Sequence, residues 1–351
     1  MYKKIQFLVQ KINFYKQNPS LFLELYLRPL ILQTRVKHIY GKQRITYSRD
    51  EIIVLCVVRN GELYIKSFIE HYLSLGVKHI VFLDNGSTDE TIDIAKTYKN
   101  VTILQTQCPY KKYETVMKRY LIKRFSKNKW NLFADIDELF DYPFSNILSL
   151  RLFIDYLNSK SYTAVVVQML DLFSDTPLAE LKSCKNDSLK KNYNYYDISN
   201  IKKEIYPERF GGRLENIELY WDGIRKSLFG SNNYLSKAAL MLFNQKISDT
   251  FVDCHHIRKA DVADVTCVFL HYPFTSLFYQ KVAEAVKTNR YAVSASQDYQ
   301  MYWRRLQQDP NLNIKQASAC SLKSINELVD KGFLVVSDDY RQWVKNHQKS
   351  E

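Results

Sequence analysis

The stretch NLFADIDELFDYP, Asn131 to Pro143, ends an apolar run with three acids packed into four residues, Asp135, Asp137 and Glu138. Neighbouring carboxylates repel and raise one another's pKa, so a purely structural strand end is better served by a single Asn or Gly. In an extended segment side chains two apart share a face, which would aim Asp135 and Asp137 the same way. Two such carboxylates suit a hard divalent cation that keeps positions open for water and phosphate oxygens. An Asp-x-Asp pair alone is a weak signal. This one is strengthened by its place after a fourth apolar strand, 51 residues beyond Asp84, which ends an earlier strand.

Those strands belong to an alternation that begins at residue 51. EIIVLCVVRN reads as a buried strand with a polar tip at Arg59 and Asn60, and GELYIKSFIEHYLSLG as a helix stopped by Gly76, with Leu63, Phe68, Ile69, Tyr72 and Leu73 on one face. VKHIVFLD is a second strand. It runs into the turn DNGSTDET, where Ser87, Thr88 or Asp89 caps the helix ETIDIAKTYK. NVTILQT is a third strand, YETVMKRYLIKRFSK a helix and WNLFADID the fourth strand. Units of this length imply right-handed crossovers and an α/β fold, a mostly parallel central sheet with helices on both faces. Ligands in such sheets bind beyond the carboxyl ends of the strands, where Arg59-Asn60, Asp84-Asn85 and Asp135-Asp137 all fall.

Farther on, YTAVVVQMLDLF is another strand and residues 174–220 form a polar, tyrosine-rich excursion. Apolar segments resume at RKSLFG, KAALMLF and VTCVFLHYPF, and helical patterns such as SLFYQKVAEAVKTNRYA, DYQMYWRRLQQ and SINELVDKG finish the chain. With no repeat and no Pro/Gly-rich hinge, the expected organisation is a basic amphipathic N-terminal segment at 1–50, one catalytic domain at 51–275 and a helical C-terminal extension at 276–351.

At 351 residues and 46% apolar content, the chain is long enough for one large core. No window of 18 apolar residues marks a membrane span, and the start lacks the h-region and cleavage site of a signal peptide, so a cytoplasmic protein is expected. The six cysteines form no CxxC pair, and Cys254-His255-His256 lacks a fourth zinc ligand at a usual spacing, so reduced thiols fit better than disulfides or zinc. Of the net charge of +13, an excess of eight lies in residues 1–50, where ten Lys/Arg face only Glu24 and Asp50. Ile5, Leu8, Val9, Ile12 and Tyr15 at helical spacing, among Lys3, Lys4, Lys11 and Lys16, suit peripheral contact with an anionic membrane; a helix packed on the domain is the alternative. Scattered tyrosines without a ring-rich strand signature argue against nucleic acid.

The run RNGELYIKSFIEHYLSLGVKHIVFLDNGSTDET, followed by FADIDELFDYP and then in order by MLDLFSDTPLAE, GIRKSLFG, YLSKAALMLF and VFLHYPF, resembles the family 2 type glycosyltransferases of the nucleotide-diphospho-sugar transferase (GT-A) fold. The likeness is to a bacterial branch related to a galactosyltransferase clan formerly called a domain of unknown function, and it spans residues 51–305. It implies that Asp84, with Arg59 and Asn60 beside it, binds the uracil or ribose of the donor. It also implies that Asp135 and Asp137 hold Mn²⁺ or Mg²⁺ against the diphosphate, with His271 completing the metal site. Arg225, Lys226 and Lys237 would then neutralise the leaving diphosphate. Plainer roles stand beside these: turn-forming by DNGSTD, a core histidine bonded to backbone, and a solvated basic face.

Inverting transfer further needs a base for the acceptor hydroxyl. Asp171, after AVVVQML, is the first choice and Asp222 the second, with Asp175, His255 and His256 as further candidates. Gly61, where relatives carry an acid, and WDG, where they show paired glycines, depart from the family pattern. The expected activity is metal-dependent transfer of a UDP-linked hexose, such as galactose or glucose, to a bacterial surface glycan or glycolipid of lipopolysaccharide or capsule, at the inner face of the inner membrane. Rival classes fit less well. A phosphohydrolase of the haloacid dehalogenase kind wants Thr or Val where Leu139 stands, and a nucleotidylyltransferase wants a Gly-rich basic loop in place of RNGELYIKS. A non-catalytic glycan or lipid binder is the remaining class if the acids hold no metal.

Overall fold

The structure is a computed structural model that describes residues 19, 23–182, 189–205, 217–244, 260–291 and 293–347. Residues 1–17 and the Cys254-His255-His256 triplet fall outside the described residues. The N-terminal part gives α1 (Arg28–Arg35) and β1 (Lys37–Tyr40). Then come β2 (Ile52–Val58), α2 (Glu62–Ser74), β3 (His79–Asp84), α3 (Thr91–Lys96), β4 (Val101–Gln105), α4 (Tyr110–Phe125) and β5 (Lys129–Phe133). β6 (Glu138–Asp141), α5 (Leu150–Ser159), β7 (Ala164–Phe173), β8 (Tyr195–Tyr196), β9 (Ile201–Ile205), β10 (Glu218–Asp222), α6 (Gly223–Phe229), β11 (Ser236–Phe243) and β12 (Cys267–His271) follow. α7 (Phe278–Thr288), α8 (Val293–Gln308), β13 (Cys320–Ser321) and α9 (Asp338–His347) close the described chain.

The central sheet has the order β1-β4-β3-β2-β5-β11-β7-β12-β6. β4, β3, β2 and β5 are mutually parallel, and β11 is antiparallel to β5 and β7. β12 is parallel to β7, while β1 and β6 run antiparallel at the two edges. Six of these nine strands (β2, β3, β4, β5, β7, β12) therefore point one way, the mostly parallel sheet that the alternating pattern implies. Parallel strands are covered on both faces and read as continuous apolar runs. β2, IIVLCVV, is buried at every position. Its even residues join a core with α2 and α5, and its odd residues join a second core with α4 and Leu32 of α1.

Both ends of the described chain enter the fold. β1 pairs with β4, and Tyr340 and Val344 of α9 sit in the α2 and α5 core. Phe278 and Val282 of α7 and Tyr302 and Leu306 of α8 pack with Phe173, Ile224 and Phe229 in a third cluster.

Two local devices set the strand ends. α2 stops where Gly76 takes φ +98°, with Val77 N–H donating to the Tyr72 carbonyl at 3.0 Å, a left-handed cap that costs glycine nothing. The DNGSTDET turn does more than cap α3. Asp89 Oδ1 accepts from Thr91 N at 3.1 Å, while its Oδ2 accepts from Glu62 N at 3.0 Å in the first turn of α2. Asn60 N donates to Ser87 Oγ, and Asn60 Oδ1 accepts from Thr88 N, each at 2.9 Å. The tips of β2 and β3 are thus bonded side chain to backbone.

One sequence inference changes here. β5 ends at Phe133, so Asp135 and Asp137 lie in a turn and the alternation of an extended strand does not govern them. That turn carries the chain across the end of the sheet to β6, where Glu138 pairs with His271 and Tyr272 N donates to the Asp137 carbonyl at 2.9 Å. Ile136 between the acids packs onto Gly61. A Cβ there would meet Ile136 Cγ1 at 3.0 Å and Val58 Cγ2 at 2.9 Å, which is a packing reason for the glycine.

Because Asp89 satisfies donors of two helices at once, Asp89→Ala is expected to lower unfolding free energy by about 1–2 kcal/mol. Urea denaturation measures this, and a loss of only a few tenths would show that the α2 bond contributes nothing.

Candidate active site

A cavity of about 640 Å³ opens at the carboxyl ends of the parallel strands, with α7 and α8 forming its other wall. The strand ends contribute Arg59, Asp135, Asp137, Glu138 and His271, and β11 contributes Lys237. The helical wall contributes Lys281, Arg290 and Asp298, with tyrosines 291, 299 and 302.

Two lysines hold the three acids at the strand ends. Lys237 Nζ lies 2.7 Å from Asp135 Oδ2 and 2.5 Å from Glu138 Oε1, and Glu138 Oε2 accepts from Asp135 N at 3.0 Å. Lys281 Nζ lies 3.0 Å from Asp137 Oδ2. Behind them the buried Asp171 carboxylate accepts from Arg225 Nε at 2.7 Å and contacts His271 Nδ1 at 2.6 Å. Since a carboxylate at that distance calls for a proton on Nδ1, the lone pair of His271 belongs on Nε2, which sits 3.8 Å from Asp137 Oδ2.

Burial by itself would raise the carboxyl pKa of Asp135, Asp137 and Asp171, yet each is held below its ordinary value. Lys237 with Lys118 outweighs burial at Asp135, Lys281 at Asp137, and Arg225 with the His271 hydrogen bond at Asp171. Asp298 goes the other way: burial raises its pKa against the opposing pull of an Asn233 hydrogen bond and of Arg225.

Of the residues singled out in the sequence, the structure brings Arg59, Asp135, Asp137, Arg225, Lys237 and His271 to one cavity. Several others have different work. Asp84 does not line the cavity; its carboxylate accepts from Gly86 N at 3.0 Å, Ser87 N at 3.2 Å and Gln105 Nε2 at 3.0 Å, so it holds the turn after β3. Asn60 serves the stitch described above. Lys226 is exposed and ties down the following loop through Asn232 Oδ1 at 2.6 Å. Asp171 sits behind His271, both its oxygens engaged, and does not line the cavity either, which removes the proton-accepting freedom that its place after the strand suggested. Asp222 takes φ +70° where β10 turns into α6, outside the cavity lining. Asp175 makes a contact through its backbone carbonyl, which accepts from Asn313 Nδ2 at 2.9 Å.

Lys281, Arg290 and Asp298 had not been singled out. A signal existed for Lys281, which stands on the buried side of α7 three residues after Phe278 and four before Ala285, where a solvated lysine would not be placed.

The donor set of two carboxylates and one imidazole fits a hard divalent cation in kind. His271, fixed from behind by a carboxylate, has the arrangement common to metal-bound histidines. Among the described residues no group of three His, Cys, Asp or Glu side chains is already drawn together for a metal. Lys237 and Lys281 hold the acids instead.

Removing the Asp171 charge leaves Arg225 buried without its anion, so Asp171→Asn is expected to cost about 3–5 kcal/mol of stability, and Asp222→Asn under about 0.5 kcal/mol. The depressed carboxyls at 135, 137 and 171 bind fewer protons folded than unfolded. Their stabilisation is therefore present above the unfolded carboxyl pKa and is lost as pH falls through the lower folded values. Melting temperature followed from neutral to acid pH checks the sign, and a flat profile would contradict the pairing.

No family model and no curated protein matches the chain. Among solved structures it is similar to glucosyl-3-phosphoglycerate synthase from Mycobacterium tuberculosis. The complex of that enzyme with Mn²⁺, UDP and glucosyl-3-phosphoglycerate is 18% identical, covering 37% of this chain and 50% of that one at a TM-score of 0.24. The complex with Mn²⁺ and UDP-glucose is 19% identical over 36% and 49% at the same score. The matched region thus spans about half the length of those chains. So slight a likeness says nothing of this chain's activity, and the fold rests on its own strand order: an α/β fold with a mostly parallel sheet, helices on both faces and the cavity at the carboxyl ends of its strands.

Proposed function

We propose that this chain is a glycosyltransferase that moves a sugar from a nucleotide-diphospho-sugar, with inversion, to an acceptor hydroxyl. The observation that carries this is the convergence, at the ends of the parallel strands, of Asp135, Asp137 and His271 with Lys237, Lys281, Arg59 and Arg290 in one cavity. Paired acids beside surplus bases suit a ligand that brings both a divalent cation and a diphosphate. Asp135, Asp137 and Nε2 of His271 would hold Mn²⁺ or Mg²⁺, which when bound supplies positive charge to the diphosphate as it leaves. Lys281, released from Asp137, would then face the phosphate oxygens, with Lys237 beside them. The aromatic wall offers faces for a base or a sugar ring. A UDP-linked hexose such as galactose or glucose as donor, and a bacterial surface glycan as acceptor, are carried over from the family likeness of the sequence.

The basic segment 1–17 is proposed to rest on the anionic inner face of the inner membrane. No helix among the described residues is long and apolar enough to cross one.

UDP is expected to raise the melting temperature when Mn²⁺ is present and to lose most of that effect in EDTA, because the diphosphate would otherwise face unscreened carboxylates. Asp137→Asn should abolish the Mn²⁺-dependent part while the variant stays folded. Equal stabilisation in EDTA would remove the metal from the proposal, and no UDP effect under any condition would remove the transferase. Deleting residues 1–17 should weaken binding to anionic liposomes at low salt, and unchanged binding would favour the packed helix.

A further inference from the structure

We infer that Asp298 is the base that takes the proton of the acceptor hydroxyl. This assignment rests on the transferase function proposed above. Of the four carboxylates lining the cavity, Asp135, Asp137 and Glu138 each hold a lysine. Asp298 forms no ion pair among the described residues. It receives one hydrogen bond, from Asn233 Nδ2 at 3.0 Å, which leaves its other oxygen uncommitted. A carboxylate already bound to a cation is a poor proton acceptor, so the uncommitted one is suited to the task.

The surroundings hold that carboxylate in place. Asn233 Oδ1 accepts from Ser231 Oγ at 2.7 Å and from Tyr302 Oη at 3.4 Å, so its amide nitrogen must face Asp298. Tyr302 lies one helical turn beyond Asp298 on α8 and packs against Phe229 and Phe278, which fixes the helix at that point. The charged and titratable groups acting on Asp298 are Arg225 from α6 and Tyr302 from its own helix. Burial keeps its pKa above that of an ordinary aspartate despite the arginine, which favours proton uptake.

Chemically, the acceptor O–H bond breaks and its proton passes to Asp298. The oxygen forms a bond to the anomeric carbon while the bond from that carbon to the diphosphate breaks. The electron pair leaves on the diphosphate, beside Lys237 and Lys281.

The test measures two quantities on the full chain with Mn²⁺: UDP affinity, and consumption of UDP-glucose and UDP-galactose with water as acceptor. Asp298→Asn and Asp298→Ala are expected to bind UDP as the wild type does, which also reports that they are folded. Their turnover should fall by about 10²–10⁴. Added formate should restore turnover to the alanine variant, whose cavity has room for it, and not to the asparagine variant. The wild-type kcat/KM should drop on the acid side at a pH above the ordinary carboxyl pKa, a limb that the variants lack.

If Asp298→Asn keeps turnover within about tenfold of wild type, or if formate does nothing and the acid limb persists, the assignment is overturned while the transferase stands. If the wild type fails to bind UDP or to consume either sugar nucleotide, the transferase itself falls, and the base with it.

Discussion

Four carboxylates crowded at the ends of strands β5, β6 and β7 cannot share one site unless positive charge reaches each of them, and the C-terminal half of the chain is arranged to bring it. Asp135 and Glu138 take Lys237 from β11, Asp137 takes Lys281 from α7, and Asp171 takes Arg225 from α6 with His271 from β12. Every cation comes from a different element, and every one lies later in the sequence than its acid. Leaving one such charge unpaired costs several kcal/mol, so the positions of β11, β12, α6 and α7 are tied to one another through the acids they serve. This is why the antiparallel strand β11 sits in the middle of an otherwise parallel run. From there Lys237 reaches the tip of β5 on one side and the turn into β6 on the other.

The pairs differ in how firmly they hold. Asp171, Arg225 and the Lys237 side chain are almost wholly enclosed, and breaking their contacts would strand charge in low dielectric. Lys281 is 35% exposed and sits on a helix wall rather than on the sheet. Its ammonium can turn to solvent or to a phosphate where another cation takes its place at Asp137. The site therefore combines a fixed half, the Asp171 pivot that aims His271, with a half that can exchange one cation for another. On the proposed function, accepting a charged donor and later releasing a charged product would use both.

Much of this was legible in the sequence, and the boundary of what was legible follows from locality. The apolar runs of β2, β3, β4 and β5 and the capped helices between them are determined by residues close in the chain, so their order and the crossover rule fix half the sheet. Lys237 and His271 stood out through the family likeness, and Asp135 and Asp137 because they are polar residues at the end of an apolar strand. Asp84 stood out for the same reason, and its polar tip serves a turn instead: DNG supplies amide donors at residues 86 and 87 that satisfy the carboxylate locally. Asp171 looked free because its two partners lie 54 and 100 residues away. Asp298 was passed over because nothing next to it in the sequence marks it: which side of helix α8 meets a cavity is set by the packing of Tyr302 against phenylalanines far upstream.

The cavity also carries an imbalance among its neutral and cationic donors. Trp221 Nε1, Arg225 Nη2 and Arg290 Nε are buried in or beside its wall, and none has a hydrogen-bond partner among the described residues. Each such donor costs about 1–3 kcal/mol while it goes unmet, a burden that a fold retains where a ligand relieves it. All three are donors, and two belong to guanidinium groups whose planar forks match phosphate or carboxylate oxygens. Asp135, Asp137 and Glu138 are already supplied with lysines, so what these donors of the wall still want is acceptor oxygen. A sugar joined to a diphosphate presents such oxygens along its whole length, more of them than a bare metal ion, a nucleobase or a lipid chain can offer.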